Sequence, residues 1–163
     1  MKKSRVAFLG LFTAFAMILS FVESQIPTFV AIPGIKLGLP NIAIIIILYR
    51  FGWKEASIIS LLRVFLTSLL FGTVLSMLYS IAGAVLSLIA MILLKNFLST
   101  VTISVIGGVF HNIGQIAVAI LVTETQQLLY YLPILIISGV IAGVVVGIIA
   151  AISVKKIEKI DLW

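Results

Sequence analysis

The sequence predicts an all-α integral membrane protein that crosses the bilayer with six helices and keeps both termini in the cytoplasm. Composition is the first reason: 63% of the 163 residues are hydrophobic and 10% are charged, whereas a soluble domain has roughly 45–50% apolar and 25% charged residues. The second is a series of six apolar runs, most of them long enough to span a bilayer. The third is that the basic residues fall in alternate connections between these runs.

The six runs follow one another with short polar, proline or glycine breaks, which read IPTFVAIPG, RFGWKE, FGT, KNFLST and TETQQ. The first run has the basic start of a signal peptide. It is longer than the apolar part of one and lacks an A-x-A-type cleavage site, so we interpret it as a retained helix. A single six-helix membrane domain over residues 1–163 is predicted, with helices at 6–22, 37–51, 53–70, 74–94, 100–122 and 128–154.

Charge predicts the orientation of the bundle. Connections on the cytoplasmic side of membrane proteins carry an excess of Lys and Arg. With six spans, nine of the basic residues fall on one side, which we assign to the cytoplasm, whereas Glu23, Lys36 and Glu124 face outside. The nine residues are Lys2, Lys3, Arg5, Arg50, Lys54, Lys95, Lys155, Lys156 and Lys159.

The outer connection at residues 23–36, ESQIPTFVAIPGIK, is the longest in the chain and contains two prolines and several apolar residues. One interpretation is an interfacial or re-entrant loop that lies against lipid. The other is a lid over a cavity that opens outward. The residues favour neither.

Small residues at four-residue spacing occur on two helices. Gly139, Gly143 and Gly147 follow one another on the sixth helix, and Gly10 and Ala14 on the first. Such residues let helix backbones approach closely, since lipid provides no hydrophobic drive for helix association. We expect contact within the chain for the sixth helix. The first could instead dock another membrane protein.

Arg63 lies near the middle of the third helix. A charge at this depth costs several kcal/mol and usually faces a partner in the bundle interior. The carboxylates of the chain are expected near the two membrane surfaces, so Arg63 requires a neutral partner or a group from outside the chain. An anionic ligand would serve, because guanidinium binds carboxylate or phosphate in a forked geometry. Alternatively, Arg63 bonds to backbone carbonyls or extends toward the cytoplasm.

The motif GGVFHNIGQ places three polar residues, His111, Asn112 and Gln115, in the middle of the fifth helix. Their spacing allows one broad helix face. A hydrogen-bond network between helices and contact with a ligand are both compatible with it. Tyr130 and Tyr131, near the outer membrane surface, are typical of an interfacial aromatic belt.

Several kinds of chemistry lack the residues they need. The chain has no cysteine and one histidine, which excludes a typical zinc site. It has no P-loop motif, and its one aspartate, Asp161, is close to the C-terminus. We therefore predict a binding or transport protein that is not an enzyme, needs no cofactor and binds no nucleic acid.

Five segments resemble a bacterial family, the Gx transporter family, also called heptaprenyl diphosphate synthase component I. They are IPGIKLGLPNI, LLRVFLTSLLFG, LYSIAGAVLS, GGVFHNIGQ and LLYYLP, in order along nearly the whole chain. The family is similar to the substrate-binding S components of energy-coupling factor (ECF) transporters. Those are six-helix proteins of the bacterial cytoplasmic membrane with cytoplasmic termini.

The resemblance implies a vitamin-like or quinone or isoprenoid precursor bound in the outer half of the bundle, with residues 23–36 as its lid. It also implies that Gly10 and Ala14 match an A-x-x-x-A patch that docks a membrane coupling subunit, with glycine in place of the first alanine. Two ABC ATPases would be separate chains. The alternative is a non-catalytic membrane subunit associated with heptaprenyl diphosphate synthase. The implied substrate contacts are Lys36, Asn41, Arg63, Tyr79, His111, Asn112 and Gln115.

Overall fold

A computed structural model of the chain describes residues 2–25 and 37–158. Within these residues the protein consists of six α-helices and a short 3-10 helix, without a β-strand. The all-helical class predicted from the sequence is confirmed for this part of the chain. The helices are α1 (Lys2–Gln25), α2 (Pro40–Arg50), α3 (Trp53–Phe71), α4 (Val74–Leu94), α5 (Thr100–Thr123) and α6 (Leu132–Glu158), and the 3-10 helix Gln126–Tyr131 leads into α6.

Aromatic contacts show the directions of the first three helices. Phe8, near the start of α1, lies 5.2 Å from Phe51 at the end of α2, measured between ring centroids. Phe21 and Phe71, near the ends of α1 and α3, lie 5.1 Å apart. Thus α1 and α2 run antiparallel, and α1 and α3 end on the same side of the bundle.

Glycines bring α5 against both α4 and α6. A Cβ atom on Gly114 of α5 would lie 2.7 Å from the carbonyl oxygen of Ala82 in α4. On another side of α5, a Cβ atom on Gly108 would lie 2.7 Å from the carbonyl oxygen of Gly139 in α6. Real Cβ atoms do not approach other atoms so closely, so these backbones meet at positions where only glycine fits.

The core forms around α2. All residues from Ile42 to Leu48 are buried, and they pack with Val146 and Ala150 of α6 and with Ile103 of α5. An all-round apolar helix of this kind is typical of the centre of a bundle. Near the end of α2, the Lys95 ammonium group lies 3.5 Å from the Leu48 carbonyl oxygen.

The alternating helix directions gather five of the described basic residues at one end of the bundle. This end contains the end of α2, the start of α3 and the ends of α4 and α6. The corresponding residues are Arg50, Lys54, Lys95, Lys155 and Lys156.

Four described stretches are long and apolar enough to cross a membrane: Val6–Gln25, Val74–Leu94, Thr100–Thr123 and Gln126–Ile157. These stretches indicate a multi-pass membrane protein. By contrast, α2 has 11 residues. At 1.5 Å per residue it is about 16 Å long, roughly half of the ~30 Å hydrocarbon thickness.

Several helix ends differ from the expected ones, and three of the differences bear on the outer side of the bundle. α1 continues to Gln25, beyond the expected end at residue 22. α2 begins at Pro40, after Gly38 with its φ of +72°, because this backbone turn interrupts the helix and proline is favoured in a first turn. α6 begins at Leu132, since part of its expected first turn forms the 3-10 helix.

The sequence-based expectation that the α6 glycines pack within the chain is confirmed. A Cβ atom on Gly143 would lie 2.5 Å from the Cα atom of Val105. The Gly143→Ala substitution should therefore force α5 and α6 apart and lower the free energy of unfolding by about 1–3 kcal/mol. Thermal unfolding in detergent measures this.

The matched control is Gly10→Ala, because a Cβ atom on Gly10 would meet no atom within 4 Å. Equal unfolding temperatures for the two variants would contradict the close approach of α5 and α6.

Candidate functional site

Arg63 is the charged residue most deeply enclosed by the described helices. It lies on α3 about 12 Å before the end of that helix, and 8% of its surface is exposed. Its Nη1 atom donates a hydrogen bond of 3.1 Å to the Ser20 hydroxyl of α1. Its Nε atom is buried and has no hydrogen-bond partner among the residues that the structure describes. The Nε–H donor of Arg63 is therefore available to a ligand atom.

Glu23 corrects the expectation that no carboxylate lies near Arg63. From the sequence, Glu23 is expected on the outer surface, beyond the end of the first helix. Instead α1 extends to Gln25, so Glu23 follows by one turn the Ser20 hydroxyl that contacts Arg63, within range for its charge to attract the guanidinium. Ser20 and Glu23 are three residues apart and therefore share one face of α1. This face supplies Arg63 with both a hydroxyl and an opposite charge.

Glu23 also contacts the segment that precedes α2. One of its carboxylate oxygens accepts a hydrogen bond from the backbone N–H of Gly38. Arg63, Glu23 and Gly38 thus join α3, α1 and the entry to α2 in one polar cluster. Asn41, on the first turn of α2, is half-buried. It lies next to this segment, because a Cβ atom on Gly38 would be 3.4 Å from the Asn41 Nδ2 atom.

The expected lid lies largely outside the described residues. Residues 26–36, including the candidate contact Lys36, belong to the part of the chain that the structure does not describe. The lid and the role of Lys36 stay predictions.

An apolar groove of about 230 Å³ runs beside the same segment. Leu37 and Leu39, which flank Gly38, form one wall, and α6 forms the other. Ser138, the one hydroxyl residue in the lining, donates its proton to the Leu135 carbonyl oxygen at 2.9 Å. The α6 residues of the groove are Ser138, Ile141, Ala142, Val145 and Val146.

His111 and Gln115 face α4. A Cβ atom on Gly83 of α4 would lie 3.0 Å from His111 Cε1 and 2.9 Å from Gln115 Cγ. Tyr79, four residues before Gly83, lies one turn away along the same face of α4 and is half-buried. These three candidate contacts are therefore associated with the contact between α4 and α5.

Asn112 points in a different direction from His111 and Gln115. Its Nδ2 atom donates a hydrogen bond of 2.6 Å to the Leu135 carbonyl oxygen of α6, and the side chain is buried. The polar residues of GGVFHNIGQ are thus divided between two helix contacts. Asn112 connects α5 to α6, whereas its neighbours adjoin α4.

Gly10 and Ala14 lie on an exposed side of α1. Both residues are exposed, as are Leu11 and Ile18 on the same helix. At Gly10, no atom of another described helix lies within 4 Å of the position that a Cβ atom would occupy. It is available for a partner, and docking there stays a prediction.

The pairing of Arg63 with Glu23 can be tested by a double-mutant cycle. Arg63→Leu leaves the Glu23 carboxylate without its opposite charge, so the free energy of unfolding should fall by about 3 kcal/mol or more. Adding Glu23→Leu should restore part of the loss, with a coupling of about 1–3 kcal/mol. Reversible chemical unfolding in detergent gives these values.

Glu124→Leu is the control, because Glu124 is exposed at the end of α5. Its effect should add to that of Arg63→Leu without coupling. If the effects of Arg63→Leu and Glu23→Leu on the free energy of unfolding were also additive, the interaction between Arg63 and Glu23 would be refuted.

Comparison with known proteins gives one result. A family model described as heptaprenyl diphosphate synthase component I matches residues 12–152. No curated protein and no solved structure matches the chain. The described residues contain no group of three His, Cys, Asp or Glu side chains that could hold a metal ion. Because the matched region covers most of the sequence, the chain belongs to the heptaprenyl diphosphate synthase component I family.

Proposed function

We propose that this protein is the substrate-binding S component of an ECF-type importer and captures a small vitamin-like or quinone or isoprenoid precursor from outside the cell. The observation that carries the proposal is the buried Arg63, with a polar cluster around it and an unused Nε donor. Buried ionisable residues in membrane helices usually mark a ligand or ion pathway. The short α2 supports an outward-facing site, because it leaves the outer part of the bundle to this cluster and to the segment before α2.

An amphipathic ligand fits the surroundings of the cluster. Gly38 contributes its N–H to the polar cluster, while its neighbours Leu37 and Leu39 line the apolar groove along α6. Binding sites for small molecules commonly combine an apolar lining with a few fixed polar groups. A polar head near Arg63 and an apolar part along the groove would use both features.

The remaining assignments belong to the same proposal. The six helices form one domain that crosses the bacterial cytoplasmic membrane six times, with both termini inside. Tyr79, His111, Asn112 and Gln115 contribute to the site from α4 and α5, and Lys36 and Asn41 from the first outer connection. Partners in separate chains are a membrane coupling subunit and two ABC ATPases.

A second candidate function is favoured by the family description. It names a component of heptaprenyl diphosphate synthase, and the chain would then be a non-catalytic membrane subunit that assembles with a soluble catalytic partner. The membrane-type helices fit such a subunit as well.

The six-span topology predicts which loops can be labelled from outside. The chain has no cysteine, so Gln127→Cys and Asn96→Cys each introduce a single thiol at an exposed position. In intact cells, a membrane-impermeant maleimide should label Gln127→Cys but not Asn96→Cys, since positive charge marks the cytoplasmic side. Labelling of Asn96→Cys alone would reverse the orientation, and labelling of both would refute the topology.

Affinity purification from native membranes tests the function. We expect the tagged chain to retain two ABC ATPases and a membrane coupling protein, identified by mass spectrometry. Gly10→Leu should reduce their recovery at least about tenfold, because a bulky side chain blocks a small-residue helix contact.

Ala117→Leu adds the same bulk at an exposed site on α5 and should leave recovery unchanged. A soluble prenyltransferase in place of the ATPases would overturn the importer and establish the second candidate function.

A further inference from the structure

The donors of Arg63 are only partly used. One terminal nitrogen bonds to the Ser20 hydroxyl at 3.1 Å, whereas Nε is buried without a hydrogen-bond partner in the described chain. A buried donor without an acceptor is costly, so a ligand atom that accepts a hydrogen bond gains affinity there. Carbonyl, amide and hydroxyl oxygens can accept this hydrogen bond, as a carboxylate can.

The charge of Arg63 is already balanced. Glu23 interacts with the guanidinium and is held in place by the backbone N–H of Gly38. Among the described residues of this polar cluster, one positive and one negative group cancel in charge. The other described charges of α3, on Lys54 and Glu55, lie at the opposite end of that helix.

An anionic ligand would meet two electrostatic penalties at this site. It would lose its hydration in an apolar bundle, and it would be repelled by the Glu23 carboxylate. Moving Glu23 away would remove the repulsion but would break its bond to Gly38. An uncharged head group avoids the repulsion and leaves the bond to Gly38 intact, loses less hydration energy than an ion, and still accepts a hydrogen bond from Arg63.

We infer that the Arg63 site selects a ligand with a net-neutral, hydrogen-bond-accepting head group, and that Glu23 is the residue that excludes anions. This inference rests on the proposed role of Arg63 in substrate binding. It replaces the anionic ligand that the sequence alone suggested with an uncharged one.

Benzamide and benzoate are matched probes, because they have the same shape and differ in charge. Each is titrated against the purified full-length chain in detergent, with thermal unfolding as the readout. Benzamide should stabilise the wild-type chain and benzoate should not. In Glu23→Gln, benzoate should bind at least about tenfold more tightly than in the wild type, the lower limit for removing a neighbouring like charge.

Two controls assign the effect to this site. Glu124→Gln removes a carboxylate from the exposed end of α5 and should leave the preference for benzamide unchanged. In the double variant Glu23→Gln/Arg63→Gln, the benzoate effect should disappear. If Glu23→Gln does not fold, the benzamide and benzoate titrations of the wild-type chain test the inference by themselves.

Stabilisation of the wild type by benzoate through Arg63 would overturn the inference, and so would an absence of any benzamide effect in the wild type. Both tests use the isolated chain. Their outcome is therefore independent of whether ATPases or a prenyltransferase accompany the protein in the membrane.

Discussion

The close approach of α5 to both of its neighbours is the constraint on which the rest of the bundle depends. Hydrocarbon does not drive apolar helices together, so association in a membrane relies on contact between closely fitting surfaces. Gly114 provides this contact toward α4, and Gly108 provides it toward α6. The resulting layer of three helices is the wall against which α2 is buried. The remaining two helices, α1 and α3, complete the bundle on the other side.

The polar cluster lies on that other side. Arg63 belongs to α3, and its partners Ser20 and Glu23 belong to α1. Among the four long apolar stretches, the one in α1 is the least buried. The helix that supplies the partners of Arg63 is thus also the one with an exposed small-residue face at Gly10. Substrate capture and partner docking would share a helix that glycine contacts do not fix to its neighbours.

The sequence predicted the helical class and the use of the α6 glycines, because both follow from local pattern. In a membrane, an apolar run of this length forms a helix, because its backbone hydrogen bonds must be made within the segment. Glycines four residues apart on a helix lie on one face, so their spacing predicts the contact surface. Arg63 was recognised for the same reason, since a charge inside an apolar run stands out.

The surroundings of Arg63 were not predictable in the same way. Glu23 was missed because the expected helix ended at residue 22, although the first proline after it is Pro27 and the i, i+3 spacing from Ser20 was a usable signal. The division of GGVFHNIGQ was missed because adjacent residues can face different neighbours. Which neighbour Asn112 meets depends on how α5 is rotated between α4 and α6, and helix spacing alone does not define that rotation.

The pairing of Arg63 with Glu23 also determines how the site responds to the membrane potential. A single elementary charge that moves through the whole field changes energy by about 2.3 kcal/mol per 100 mV. The two opposite charges lie close together, so a movement of the pair as a unit performs no net electrical work. A net-neutral ligand adds none. Capture at this site would then proceed equally well in an energised and in a depolarised cell, and voltage would leave substrate affinity unchanged.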